Sequence, residues 1–311
     1  MNRWFTALLF YRMSIILITG GSGLIGKRLT LKLQQAGHTV RWLGRGASDP
    51  ANGRFNWDIH QGTVDARALV DVDHIVHLSG AGIADKRWTD TRMKELYASR
   101  GGAARLLLGA VRAEGAKPLT FISASGVGYY GAITSDHVFT EEDPPAQDTI
   151  GALTQDWELA ADSWSDQCRV VILRTPVVVA REGGALPKLS APAKWGLSAP
   201  LGRGSQWMPW VHVDDLVNAY ATAIERSELS GAYNVVAPEQ PDNRDFMRAV
   251  AHALHKPFFL PAVPAFALRI ALGELSSVLL EGSRASQERL LRTGFVFRYP
   301  ELGIALRDTL G

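Results

Sequence analysis

Gly20, Gly23 and Gly26 recur at every third position in a run whose remaining members are Gly21, Ser22, Leu24 and Ile25. That spacing suits one piece of chemistry, the holding of a diphosphate. A diphosphate needs backbone N–H groups at close range, so Cβ atoms must be absent at the turn, and a helix N-terminus adds unpaired donors and partial positive charge. Apolar Ile15 to Thr19 precedes the run and the amphipathic stretch Leu24 to Ala36 follows it, which is the strand, turn and helix order a dinucleotide site requires. A tight glycine turn without a ligand is the plain alternative. The next strand, Thr39 to Leu43, bears on which dinucleotide. No Asp or Glu precedes Asp49, so the carboxylate that accepts from an adenosine 2′-hydroxyl is missing, and the strand ends in Gly44-Arg45-Gly46. A guanidinium there can grip a 2′-phosphate, which favours NADP(H) over NAD(H); a solvated arginine is the other reading. Asp58 is placed either to meet the adenine or to start a turn.

Other residues offer chemistry of other kinds. His212, followed by Asp214 and Asp215, leads from a strand into the helix Leu216 to Glu225; one of the aspartates is expected to cap that helix, and His212 either moves a proton or serves structure. Arg174, Lys188, Arg203, Trp195, Trp207 and Trp210 bring cations and aromatics to an irregular stretch. Arg174, Trp207 and Trp210 are the candidates for holding an anionic or ring-bearing substrate, a partly packed surface being the alternative. No metal is expected: His74 and His77 point to opposite faces of a strand, and His252 and His255 have no third ligand nearby. Cys168 is the sole cysteine, which excludes internal disulfides and multi-thiolate metal sites and fits a reducing, cytoplasmic setting.

The elements that must position these groups follow a β-α alternation. Short β-branched runs at residues 15–19, 39–43, 74–78, 119–123, 169–173 with 177–179, and 233–236 alternate with helical patterns, the sequence form of a parallel sheet. The expected architecture is a doubly wound α/β fold. Residues 14–180 form the Rossmann dinucleotide-binding part, and 181–311 a substrate-side and α-rich C-terminal part, of which 211–236 returns to the sheet. Gly183 to Met208 lacks periodicity and is expected to be loop-built, while Phe266 to Leu272 and Ala285 to Leu291 are expected helices. Residues 1–13 are expected to be an N-terminal extension rather than a targeting peptide. With 311 residues, 46% hydrophobic and 21% charged, the chain has the composition of a globular protein. Its net charge of +2 argues against wholesale binding to nucleic acid or an anionic membrane, and no run is long enough to span a bilayer. The expected partner is a small-molecule substrate, with homo-oligomers left open.

Six segments in order carry a resemblance: residues 18–26, His77 to Gly82, Lys86 to Thr89, Ser123 to Gly131, Leu173 to Thr175 and Trp210 to Asp215. They are similar to the extended short-chain dehydrogenase/reductases of the NAD-dependent epimerase/dehydratase family, in an atypical subgroup with a C-terminal domain of unknown function that Leu260 to Leu306 resembles. The resemblance implies an oxidoreductase of epimerase/dehydratase type, with Leu78, Ser79, Gly80 and Ser123 along the cofactor and Ser125 bonded to the reacting oxygen. The family's base is a tyrosine four residues before a lysine, and no such pair exists here. Residues 150–154, where it should fall, read Ile-Gly-Ala-Leu-Thr. Tyr129 and Tyr130 stand in the Ser125 loop as substitute proton donors or as packing. A non-catalytic NADP(H)-binding sensor is the second functional expectation.

Overall fold

A computed structural model describes residues 13–311. The expected extension falls almost wholly outside these described residues. The strands are β1 Ile15–Thr19, β2 Thr39–Gly44, β3 Arg54–Asp58, β4 Thr63–Val64, β5 His74–His77, β6 Thr120–Gly126, β7 Val138–Phe139, β8 Arg169–Thr175, β9 Val177–Val179, β10 Trp210–His212, β11 Gly231–Asn234 and β12 Arg284–Ala285. Eight of them form one sheet in the order β11-β8-β6-β5-β1-β2-β3-β4, parallel throughout except for the β3–β4 pair. From β1 the chain winds outward through β2 and β3, then crosses back to β5 and winds the other way. The direction reverses between β1 and β5, the switch point at whose carboxyl end open α/β sheets form their ligand crevice.

The helices that flank the sheet are α1 Leu24–Gln35, α2 Asp90–Tyr97, α3 Ala103–Ala113, α4 Thr149–Asp162, α5 Leu186–Lys194, α6 Val213–Glu225 and α7 Asn243–Ala253. Alternation along β1 splits its side chains between two cores: Ile16 and Ile18 share one with Leu29 and Leu33 of α1 and Leu216 of α6, while Leu17 shares the other with Leu107 of α3 and Ala160 of α4. Both faces are therefore covered, as a parallel sheet requires. α8 Ala265–Leu272, α9 Ser277–Leu280, α10 Glu288–Arg292 and α11 Leu302–Leu310 complete the chain. α11 packs with α7 around Phe246, Val250 and Leu306.

Several expectations change. Val177 to Val179 leaves the main sheet and pairs with β10, because Pro176 follows β8 and ends its ladder. The stretch 183–208 holds α5, whose Pro187 sits in the first turn, where a missing N–H costs nothing. Ala285 belongs to β12, paired with β7, so the helix expected from there begins at Glu288. β11 does return to the main sheet beside β8.

Candidate functional site

The turn from β1 to α1 is held by contacts that leave no room for side chains. Gly20 has φ +71°, and a Cβ there would stand 2.9 Å from the Leu78 backbone; at Gly26 it would meet the Gly20 carbonyl oxygen at 2.5 Å. Gly21 lies against the Trp42 ring, which is fixed by an indole N–H donated to Thr30 Oγ1 at 2.8 Å. Gly23 differs from these: it is exposed, and a Cβ would find only the Gly20 carbonyl oxygen within 4 Å, at 3.2 Å. Its open side faces the crevice. Gly23 also caps α1, and the first helical bond runs from Lys27 N to its carbonyl at 3.0 Å. The amides of Leu24, Ile25 and Gly26 precede that bond and have no acceptor within the helix. Ser22 stands exposed beside them, so the turn fits a dinucleotide diphosphate. Arg45, just past β2, is exposed and forms no ion pair among the described residues. Asp58 accepts the amides of His60 and Gln61 at 2.8 and 3.0 Å, which assigns it to a turn.

At the end of β5 a neutral hydrogen-bond chain shapes the next loop. His77 is fully enclosed, and burial pushes its pKa down to about 4. Its Nε2 lies 3.3 Å from the Arg100 carbonyl, which can only accept, so Nε2 carries the proton and Nδ1 accepts from Thr19 Oγ1 at 2.9 Å. Thr19 Oγ1 in turn accepts the Ser79 amide at 3.2 Å. Leu78 and Ser79 are half-buried and Gly80 is exposed, all three at the crevice. Ser123 is not: it is wholly buried inside the sheet, with Oγ donating to the Ala124 carbonyl at 2.9 Å, which corrects its expected cofactor contact.

At the ends of β6 and β8 the polar groups are charged and buried. Ser125 and Arg174 are register partners, and both reach Glu158 of α4. Ser125 Oγ donates to Glu158 Oε1 at 2.5 Å, while Arg174 grips the same carboxylate with Nε and Nη2 at 2.9 and 2.8 Å. Arg174 Nη1 donates to the Tyr130 hydroxyl at 2.8 Å, and that hydroxyl donates to Asn234 Oδ1 at 2.9 Å. The Arg174 guanidinium also lies 3.6 Å from the Tyr129 ring centre. Every nitrogen of Arg174 is thus engaged inside the protein, which corrects its expected role as a substrate cation. Tyr130 stacks on Phe139, and burial raises its pKa to about 12, so packing takes precedence over proton donation. Tyr129 is half-buried, and burial raises its pKa as well.

The sequence profile of the NAD dependent epimerase/dehydratase family matches residues 16–236, and that of a domain of unknown function, DUF1731, matches residues 263–309. The chain belongs to the NAD dependent epimerase/dehydratase family. The epimerase family protein Mb2239 of Mycobacterium bovis is 38% identical over 296 residues, 94% of this chain and 96% of that protein. The human epimerase family protein SDR39U1 is 34% identical over 299 residues, 94% of this chain and 98% of that protein. A crystal structure of human SDR39U1 with NADPH superimposes with a TM-score of 0.85 at 32% identity, covering 95% of this chain and 98% of that one. The UDP-glucose 4-epimerase of Thermus thermophilus in complex with NAD has a TM-score of 0.76 at 22% identity, covering 95% and 97%, and so shares the fold.

As an epimerase/dehydratase family member the chain departs from the pattern on α4. Ile150 and Thr154, where the resemblance leads one to expect the tyrosine and lysine, pack against Gly128, where a Cβ would lie 2.7 Å from Ile150 and 3.5 Å from Thr154 Oγ1. Glu158 follows one helical turn later on the same face, and sequence reasoning missed it; its spacing of four from Thr154 was the available signal. The structure also reassigns His212. Its Nδ1 accepts the Asp214 amide at 3.2 Å and caps α6, so neither aspartate is the cap. Asp214 binds Arg28 at 2.8 Å, and buried Asp215 accepts the amides of Arg298 and Tyr299 at 2.8 and 2.9 Å. The His212 ring is 1% exposed, lies tilted against Tyr299 with ring centres 3.8 Å apart and stands 3.3 Å from Asp308 Oδ2 without a hydrogen bond's alignment. No face is left for a substrate. Trp210 is buried with its indole N–H on the Glu239 carbonyl at 2.7 Å, a core residue rather than a substrate contact. Trp207 is half-buried, bonded to the Ser135 carbonyl at 2.8 Å under Arg284. Lys188 reaches across to Asp85 at 3.0 Å.

Proposed function

We propose that this family member is an NADP(H)-binding oxidoreductase of epimerase/dehydratase type that acts on a small molecule. The observation that carries the reading is the β1–α1 turn, with Gly23 open toward the crevice, three helix amides without internal acceptors and Arg45 unpaired beyond β2. The amides hold the diphosphate and Arg45 holds the 2′-phosphate through charge-assisted bonds. The human relative crystallised with NADPH supports this choice. Bound in the crevice, the cofactor supplies hydride exchange at its nicotinamide ring. Ser125, nearly buried at the end of β6, has its proton committed to Glu158, so a substrate hydroxyl that reaches it would meet an acceptor. Binding titrations with NADPH and NADH test the assignment. Arg45→Ala should weaken NADPH about tenfold or more and leave NADH nearly unchanged, the loss of a hydrogen-bonded charge; equal losses would refute the 2′-phosphate role.

A second reading, an NADP(H)-binding sensor without turnover, is favoured by the two tyrosines. Burial raises the pKa of both, so neither is a base near neutral pH. Purified protein with NADPH or NADP+ and a panel of ketones and sugar nucleotides separates the readings: cofactor consumption or conversion of any panel member above background removes the sensor, and binding with neither favours it.

A further inference from the structure

Three guanidinium groups are buried among the described residues: Arg92, Arg100 and Arg174. Arg174 pairs with Glu158 and Arg92 with Glu95 at 2.5 Å. Arg100 is 5% exposed and pairs with no carboxylate; it donates Nη2 to the Ala81 carbonyl at 2.7 Å and Nη1 to the Leu96 carbonyl at 3.4 Å, stands over the Trp157 ring, and its Nε has no partner. Burial lowers its pKa only to about 10, so it stays charged near neutral pH. A buried cation without a counter-charge is costly, and a fold keeps one where the charge is used.

Two features show where this charge is directed. Arg100 sits at the centre of a π-helical turn, Ala98–Gly102, between α2 and α3. Such turns are rare and are found mostly at functional sites. The turn also brings the guanidinium beneath Gly80, where a Cβ would lie 3.1 Å from Arg100 Cζ and 3.2 Å from Nη2. Gly80 is exposed, so only bare backbone separates the cation from the crevice. The neighbouring charges do little to cancel it. Asp85 and Lys188 neutralise each other at the exposed rim, and Glu95 is exposed and held by Arg92.

The inference rests on NADP(H) occupying the crevice, as proposed above. Arg45 at β2 marks the adenosine end and the β1 turn the diphosphate, so the loop after β5, across the reversal point, lies on the nicotinamide side. That ring carries a positive charge when oxidised and none when reduced. We propose that Arg100 is an electrostatic selector of cofactor redox state, disfavouring the oxidised nicotinamide through Gly80 and biasing the site toward the reduced dinucleotide.

Calorimetric titration of NADPH and NADP+ against the full chain tests this. The wild type should bind NADPH more tightly, and Arg100→Met should shrink the affinity ratio roughly tenfold, the order expected of one unit charge acting through protein. Arg100→Lys should keep most of the ratio. A merely structural Arg100 would weaken both ligands alike and leave the ratio in place, which overturns the proposal. If Arg100→Met does not fold, the wild-type ratio decides, and equal affinities overturn it. Failure of the wild type to bind either ligand would instead overturn the cofactor reading, and the selector with it.

Discussion

The two sides of the crevice are built from different materials. On the β1 side the candidate site is backbone: a turn stripped of Cβ atoms, a helix terminus, and beneath them the neutral chain from His77 through Thr19 to the Ser79 amide. On the β6–β8 side it is side chains, with Ser125, Tyr129 and Tyr130 arranged around the buried Glu158–Arg174 pair. A backbone site needs only the absence of bulk and tolerates little else. A buried ion pair needs both of its members, and removing either leaves the other charge stranded. The two sides should therefore fail in different ways.

The largest effect is expected on the charged side. Glu158→Ala should cost about 3–5 kcal/mol in denaturant unfolding, since it leaves the Arg174 guanidinium buried without its carboxylate. Adding Arg174→Met to the same chain should recover much of that loss, because no stranded charge remains. If Glu158→Ala costs under about 1 kcal/mol, the pair is not the organising feature of that wall.

This contrast also explains what could be read in the sequence. The turn at Gly20, Gly23 and Gly26 was legible because a backbone turn without room for side chains imposes glycine at fixed spacing within one strand–turn–helix unit. Glu158 was not, because its meaning depends on α4 lying against β8, which no local pattern states. For the same reason Arg174 and Trp210 looked like surface cation and aromatic until packing placed them inside. The doubly wound order followed from β-α alternation. α5 was hidden by Pro187 and Pro192, and β3 with the two-residue β4 was too short and too polar to stand out.

On the backbone side the expected weakness is to acid. His77 has a pKa near 4 in the folded protein against an ordinary 6.5, so between those values the unfolded chain binds a proton that the folded one refuses. Stability from this group is complete above about pH 6.5 and declines as the pH falls toward 4, by about 3 kcal/mol in total. Denaturant unfolding at pH 7.5 and 4.5 should show that slope, and His77→Gln should flatten it by a comparable amount. An unaltered slope in the variant would mean that other groups carry the acid response.

The smallest effect tests whether His212 belongs to either wall. An imidazole at a strand–helix junction looks like chemistry in a sequence, yet its Nδ1 is used by the Asp214 amide and its ring by Tyr299. His212→Ala should therefore cost about 1–2 kcal/mol, the loss of a cap and some packing. His212→Asn, which restores an acceptor at the cap, should recover part of it. The affinity for NADPH should be the same in both variants as in the wild type, because the ring lies under the C-terminal segment rather than along the crevice. A changed affinity in a variant that unfolds like the wild type would return His212 to the binding site.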